Sequence, residues 1–504
     1  MHRSRLLARF LSTGSRRRTS RADSSSVARA ADVTLEPRVL LAGGGTLTVT
    51  DSGGDVTIDA DDGDFDRVVV TGRAQIDSLT IINRTGDLAV EIKEGTRLGD
   101  LTIEGGTDRD ELRLQGVISG EVTFNGRGGD DFAFAQAGSR TSLLDWNGGD
   151  GADELLVAGD IAFELLIDGG DGNDEVRIDA SGVRTAATGG IGAFLGDGDD
   201  VMAISGGNLI DRNGIFVLMG EGNDRFSFQQ DGPAETLWFR EHYVDGQAGD
   251  DTIIYRNTSV DRVDLLGGDG EDRFVVSGVD GDTVDIAAGA GDDRVVIERA
   301  KLRTDKVDLG TSTGRDVIRY GSDVVSGTSS VTFAGTAKVF ETTARELGSF
   351  RVTGRQLFLR MVAGTTVEQN VFVSTRSDSA AGSILSLDGI TVGESVVLST
   401  GAGDDFINLR SATIGSLELT TTAGDDYVRL NGSLVTDVQP PFFFPAKSTT
   451  VVLGSGSDFV DNRGFDFEGE ALFDGGFTSL DNRLSDRASL DARDDVEVLY
   501  FQQA

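Results

Sequence analysis

Apolar and polar residues alternate in short runs along this chain, and most runs are bounded by turns rich in glycine and aspartate. After the turns come Val68 and Val70, Leu112 and Leu114, Leu155 and Val157, Val176 and Ile178, Phe226 and Phe228, Phe274 and Val276, Val295 and Ile297, Ile407 and Leu409, and Val428 and Leu430. Before them come Leu101 and Ile103, Leu165 and Ile167, Val263 and Leu265, Val284 and Ile286, Val396 and Leu398, and Leu417 and Leu419. Spacing of two on both flanks predicts strands with one face turned inward.

The turn repeats as regularly as the strands. Gly169-Gly170-Asp171-Gly172-Asn173-Asp174 is its clearest copy: glycine supplies positive φ, and Asp and Asn bond their own backbone. Windows of the form G-x-G-x-D close at Asp153, Asp174, Asp200, Asp224, Asp272, Asp293, Asp405 and Asp458. Looser copies close at Asp66, Asp110, Asp131, Asp251, Asp316 and Asp426. Most neighbours lie roughly 21 to 24 residues apart, the period of a solenoid whose coils bury their apolar faces only against one another. The expected fold is all-β: a single elongated parallel β-helix, right-handed, with about 21–22 residues per coil and roughly twenty coils. Stacking at about 4.8 Å would set the inward residues in ladders of Val, Leu, Ile and Phe.

Four segments follow from this pattern. Residues 1–44 are a basic, serine-rich leader, with nine Arg against Asp23, Asp32 and Glu36. Residues 45–316 are coils with Gly/Asp turns, including a degenerate turn near Asn83. Residues 317–404 keep the apolar strands, as at Val331-Thr332-Phe333 and Phe350-Arg351-Val352, but lose the Gly-x-Asp chemistry. That interval has room for about four coils and is expected to be the weakest part. Residues 405–504 hold the final coils and a cap. Proline supports the reading, because a central strand needs every N–H. Pro37 lies in the leader, Pro233 in an insertion at 231–243, and Pro440, Pro441 and Pro445 in another at 438–449. Both insertions carry aromatic runs, whose expected role is to cover core edges, with glycan stacking or partner binding as the alternative.

Charge and cysteine narrow the function. A formal charge of −38 with only Lys93, Lys301, Lys306, Lys338 and Lys447 argues against a nucleic-acid partner. No cysteine means neither disulfides nor a thiolate metal site. No apolar run is long enough for a transmembrane segment.

Two resemblances add direction. Leu35-Glu36-Pro37-Arg38-Val39-Leu40-Leu41 resembles the LEPR-XLL element near the N-termini of large repetitive bacterial proteins thought to be exported, which implies an extracellular or cell-surface location. The turn resembles the RTX, or hemolysin-type, calcium-binding nonapeptide G-G-x-G-x-D-x-U-x, where U is a large apolar residue. Residues 148–156, 169–177 and 267–275 match all nine positions. In that family the closing Asp and turn carbonyls coordinate Ca²⁺. This chain has one such turn per coil rather than one per nine residues, so at most one edge could bind metal. The resemblance implies calcium ligands at Asp131, Asp153, Asp174, Asp200, Asp224, Asp251, Asp272, Asp293, Asp316, Asp405 and Asp426. Calcium takes six to eight hard oxygen ligands. Carboxylates stacked about 5 Å apart repel by roughly 0.8 kcal/mol per pair even in water, so a ladder of them invites a counter-ion. The opposing expectation is of solvated turns eased by Arg225, Arg273 and Arg294.

The expected protein is an exported, non-enzymatic structural or adhesive solenoid, with calcium and an extracellular glycan or surface protein as its partners. The alternative is a β-helix polysaccharide lyase or hydrolase, for which fold analogy is the support. The only histidines are His2 and His242.

Overall fold

The computed structural model describes residues 40–503 apart from 43–44, 51–52, 61–65, 73–74, 181–189, 207–213, 231–238, 311–314, 322, 334, 343–345, 377–380, 436–448, 464–465, 468–469, 477–482, 485–495 and 500–501. The first five residues of the LEPR-XLL element and most of both aromatic insertions lie outside the described residues. The chain forms a parallel β-solenoid and divides into two compact units, Met1–Asp171 with Val183–Phe194 and Gly172–Gly182 with Leu195–Ala504.

In the first unit, Thr46–Val49, Arg67–Val70, Leu88–Ile92, Asp110–Leu114, Phe132–Ala135 and Glu154–Val157 stack in parallel as one sheet. Leu40–Ala42 adds an antiparallel strand against Thr46–Val49. A second sheet puts Ile58, Ile81, Ile103, Phe124, Trp146 and Ile167 in register on successive coils. Those side chains are buried, as the two-residue alternation requires.

The second unit repeats the arrangement. Val176, Met202, Phe226, Ile253, Phe274, Val295 and Ile318 form one inward ladder. Val217, Val244, Leu265, Ile286, Val307, Val331, Val352, Val373, Leu398, Leu419, Val451 and Phe473 form the facing one. Between Asp316 and Asp405 the described strands pair in parallel from coil to coil through Thr336–Thr342, Gln356–Met361 and Ile384–Asp388 to Phe406–Arg410, with a register shift between Val339 and Thr342.

His242 and Tyr243, at the end of the first aromatic insertion, lie in the strand Phe239–Ala248. His242 is buried beside Phe228 and Tyr255, and burial lowers its pKa to about 3, so it is a neutral core residue. Tyr243 stacks on Phe216 with ring centroids 5.2 Å apart. No helix among the described residues is long and apolar enough to cross a membrane.

Candidate metal-binding edge

The stacked turns need glycine for two separate reasons. At Gly270 φ is +141°, and a Cβ built there would come closer than 3.0 Å to the carbonyl oxygen of Gly249 on the preceding coil. Positive φ and direct backbone stacking both exclude a side chain.

The closing aspartates sit inside this edge rather than in solvent. Asp131, Asp153, Asp174, Asp200, Asp224, Asp251, Asp272, Asp293, Asp316, Asp405 and Asp426 are all buried, so these carboxyls are not the solvated groups of the opposing expectation, although neighbouring turn residues such as Asp171 and Asp250 are exposed. Arg225, Arg273 and Arg294 are exposed. In most of the closing aspartates one carboxylate oxygen accepts the backbone N–H of the closing residue one coil earlier. In the first unit, Asp110 N–H donates to Asp131 Oδ1 at 2.7 Å and Asp131 N–H to Asp153 Oδ1 at 2.6 Å. In the second unit the bonds run Asp174 to Asp200, Asp200 to Asp224, Asp224 to Asp251, Asp251 to Asp272, Asp272 to Asp293 and Asp293 to Asp316, at 2.7–3.1 Å. The ladder resumes with Ser383 N–H to Asp405, Asp405 to Asp426 and Asp426 to Asp458.

The residue before the closing Asp forms a companion ladder of opposite sense. Ala152 N–H donates back to Asp130 Oδ1, Asp199 to Asn173, Asn223 to Asp199, Asp250 to Asn223, Glu271 to Asp250 and Arg315 to Asp292. A turn with both ladders is therefore hydrogen-bonded to the coil before and the coil after. These Asp and Asn residues were missed in the sequence reading, although their recurrence at a fixed offset was visible. Two substitutes were also missed. Asn83 donates its side-chain amide to Asp110 Oδ1 at 2.8 Å, so the degenerate turn still feeds the ladder. Ser383 takes the place of an aspartate, accepting Leu357 N–H on its hydroxyl and passing its own N–H to Asp405.

The second carboxylate oxygen defines the chemistry. Oδ2 of Asp131, Asp200, Asp224, Asp251, Asp272 and Asp293 is buried and, among the described residues, accepts no hydrogen bond. Beside three of these oxygens lies a carbonyl of the next coil. Asp131 Oδ2 and Gly148 O both lie within 3.0 Å of the point a Cβ on Gly126 would occupy, as do Asp251 Oδ2 and Gly267 O at Gly246, and Asp272 Oδ2 and Ala288 O at Gly267. Two acceptor oxygens facing one small space need a proton or a cation between them. Among the described residues no three His, Cys, Asp or Glu side chains converge to hold a metal by themselves, so any ion here would take carbonyl oxygens as well.

Burial raises these carboxyls. Asp131 and Asp251 are pushed up to about 8, Asp200, Asp272 and Asp426 to about 7, and Asp153, Asp224 and Asp316 to about 6. Desolvation is the main cause; neighbouring carboxylates add to it and the accepted N–H bonds oppose it. Asp293 and Asp405 move the same way. The folded chain thus keeps protons that the unfolded chain releases near pH 4, so this stabilisation is complete below that pH and is lost as pH rises through about 6 to 8. In chelator, the denaturant midpoint is expected to fall between pH 5 and pH 8; a flat or rising midpoint would contradict the burial of these groups.

Compared with models of protein families, with curated proteins and with solved structures, the chain matches none.

Proposed function

We propose that this protein is an exported, non-enzymatic β-solenoid, structural or adhesive in role, whose Gly-Asp turns take up calcium along one edge. The observation that carries this reading is the set of buried Oδ2 atoms of Asp131, Asp251 and Asp272, each beside a backbone carbonyl of the next coil and, among the described residues, without a hydrogen-bond donor. The donor set is entirely hard oxygen, the chemistry Ca²⁺ prefers. Asp131, Asp153, Asp174, Asp200, Asp224, Asp251, Asp272, Asp293 and Asp316 would hold the ions, with Asp405 and Asp426 on a shorter second run. A bound cation would supply the positive charge the buried carboxylates lack and hold them ionised. An extracellular or cell-surface location is what the LEPR-XLL resemblance implies. A glycan or surface protein is the partner class suited to an adhesive role. The closing aspartates give no support to a lyase or hydrolase, because a polysaccharide cannot reach carboxylates buried under the turns.

Titration calorimetry and thermal melts of the full chain test the reading. A ligand that binds only the folded state stabilises by about 2.7 kcal/mol per site at a hundred times its Kd. Calcium is expected to raise the melting temperature at pH 8 and chelation to lower it; a melt unchanged across millimolar calcium removes the metal. Cleavage of an acidic polysaccharide by the purified protein would overturn the non-enzymatic assignment.

A further inference from the structure

One carboxyl lies in the core itself, away from the turn edge. Asp305 occupies an inward position of the strand Lys301–Asp308, where the ladder otherwise reads Val284 on the coil before and Ser329 and Phe350 on the coils after. It is completely buried. Ser326 Oγ lies 2.6 Å from Asp305 Oδ1; Tyr320 OH and Ser329 Oγ lie 2.7 Å from Oδ2, and Ser329 Oγ lies 2.8 Å from Tyr320 OH.

Counting protons decides the state of this cluster. The four short O···O contacts need four hydrogens, and three hydroxyls supply three; a longer fifth contact, Ser326 Oγ to the Thr328 carbonyl at 3.3 Å, competes for the Ser326 hydrogen and adds none. With a carboxylate, one contact would bring two oxygens together with no hydrogen between them. With a carboxylic acid, Asp305 supplies the fourth: Ser326 donates to Oδ1, and the remaining three hydrogens circulate among Oδ2, Ser329 and Tyr320.

No cation is placed to offset a charge here. Lys301, Arg303 and Lys306 on the same strand are exposed. The strand Asp280–Ala290 presents Val284 and Ile286, the strand Arg294–Glu298 presents Val295 and Ile297, and the strand Val325–Thr332 presents Ser329 and Val331. The strand Arg315–Tyr320 presents Tyr320 and, at its turn end, Asp316, whose carboxyl accepts Asp293 N–H. Among the described residues, no basic side chain faces Asp305 from these strands.

We infer that Asp305 is stored in the fold as a neutral carboxylic acid, and that its hydroxyl network is an alkali-sensitive plug fixing the register of the coils from Lys301 to Thr332. Burial raises the Asp305 carboxyl and lifts Tyr320 well above the usual phenol range, in agreement with that state. The folded form holds a proton that the opened form loses above the ordinary carboxylate range. Opening therefore becomes about tenfold easier per pH unit until the folded pKa is passed. The plug straddles Asp316, the last aspartate of the first long run of the turn ladder, with Asp305 before it and Tyr320, Ser326 and Ser329 after it.

Hydrogen exchange of the full chain over residues 301–332, corrected for intrinsic exchange between pH 5 and pH 8, tests this. Asp305→Asn keeps an oxygen acceptor and a donor in the same shape. It is expected to remain protected while its opening constant rises about tenfold less per pH unit than in the wild type, a difference of one proton. Equal slopes in the two proteins would overturn the inference. Infrared difference spectra give a second readout that does not depend on that variant folding. A protonated-carboxyl band at pH 8 is expected to shift in Tyr320→Phe, whereas a band unmoved by that substitution would show that Asp305 is not its source.

Discussion

Gly270→Val is expected to lower stability by about 2–6 kcal/mol, combining backbone strain of about 1–3 kcal/mol with an overpacking cost of similar size. The cause is local and double. The valine would have to adopt φ near +141°, and its Cβ would be driven against the Gly249 carbonyl, which is backbone and cannot swing aside. Relief would require the coils to separate, and separation would stretch the Asp251 N–H bond to Asp272, which is 2.9 Å long, and the Glu271 N–H bond to Asp250, which is 2.7 Å long. Loss of the paired ladders should weaken calcium uptake at the same coils. Asp269→Ala, one residue earlier and exposed, is expected to stay within about 0.5 kcal/mol of the wild type. Urea denaturation of the two variants side by side checks the pair; equal midpoints would mean that the turns do not stack as tightly as described.

Trp146→Ala is expected to cost about 3–5 kcal/mol, the range for removing a large aromatic side chain from a core that cannot collapse around the gap. Trp146 is fully buried and lies between Phe124 and Ile167 on the adjoining coils of the second sheet. Solenoid stability is close to a sum of coil and neighbour terms, so the loss should fall first on the coils that touch the cavity. Hydrogen-exchange protection of Glu121–Gly128 and Asp160–Asp171 should drop together. Trp146→Phe, which keeps most of the apolar volume, should lose markedly less. A midpoint within about 1 kcal/mol of wild type for Trp146→Ala would show that the first unit's core repacks freely.

The coil period, the inward positions and the turns were legible in the sequence because each is local. Two-residue alternation fixes which side chains face in once a strand forms, and glycine marks where φ must be positive. Leu101, Ile103, Val176, Ile178, Ile407 and Leu409 are accordingly buried. The four coils between Asp316 and Asp405 needed only the spacing of apolar runs. What each aspartate does was not legible, because two adjacent acidic residues look alike in sequence. In Asp250-Asp251, stacking sends the second inward to accept the Asp224 N–H and leaves the first outside to accept the Glu271 N–H. Asn83 and Ser383 likewise become ladder members through what stands on the next coil, at separations of 27 and 22 residues. Asp305 is the limiting case. Its strand exposes Lys301, Arg303 and Lys306, and nothing local distinguishes it from a solvated acid. Only the closure of the coil brings Tyr320, Ser326 and Ser329 onto its carboxyl, because hydrogen bonds across stacked coils depend on three-dimensional register rather than on neighbours along the chain.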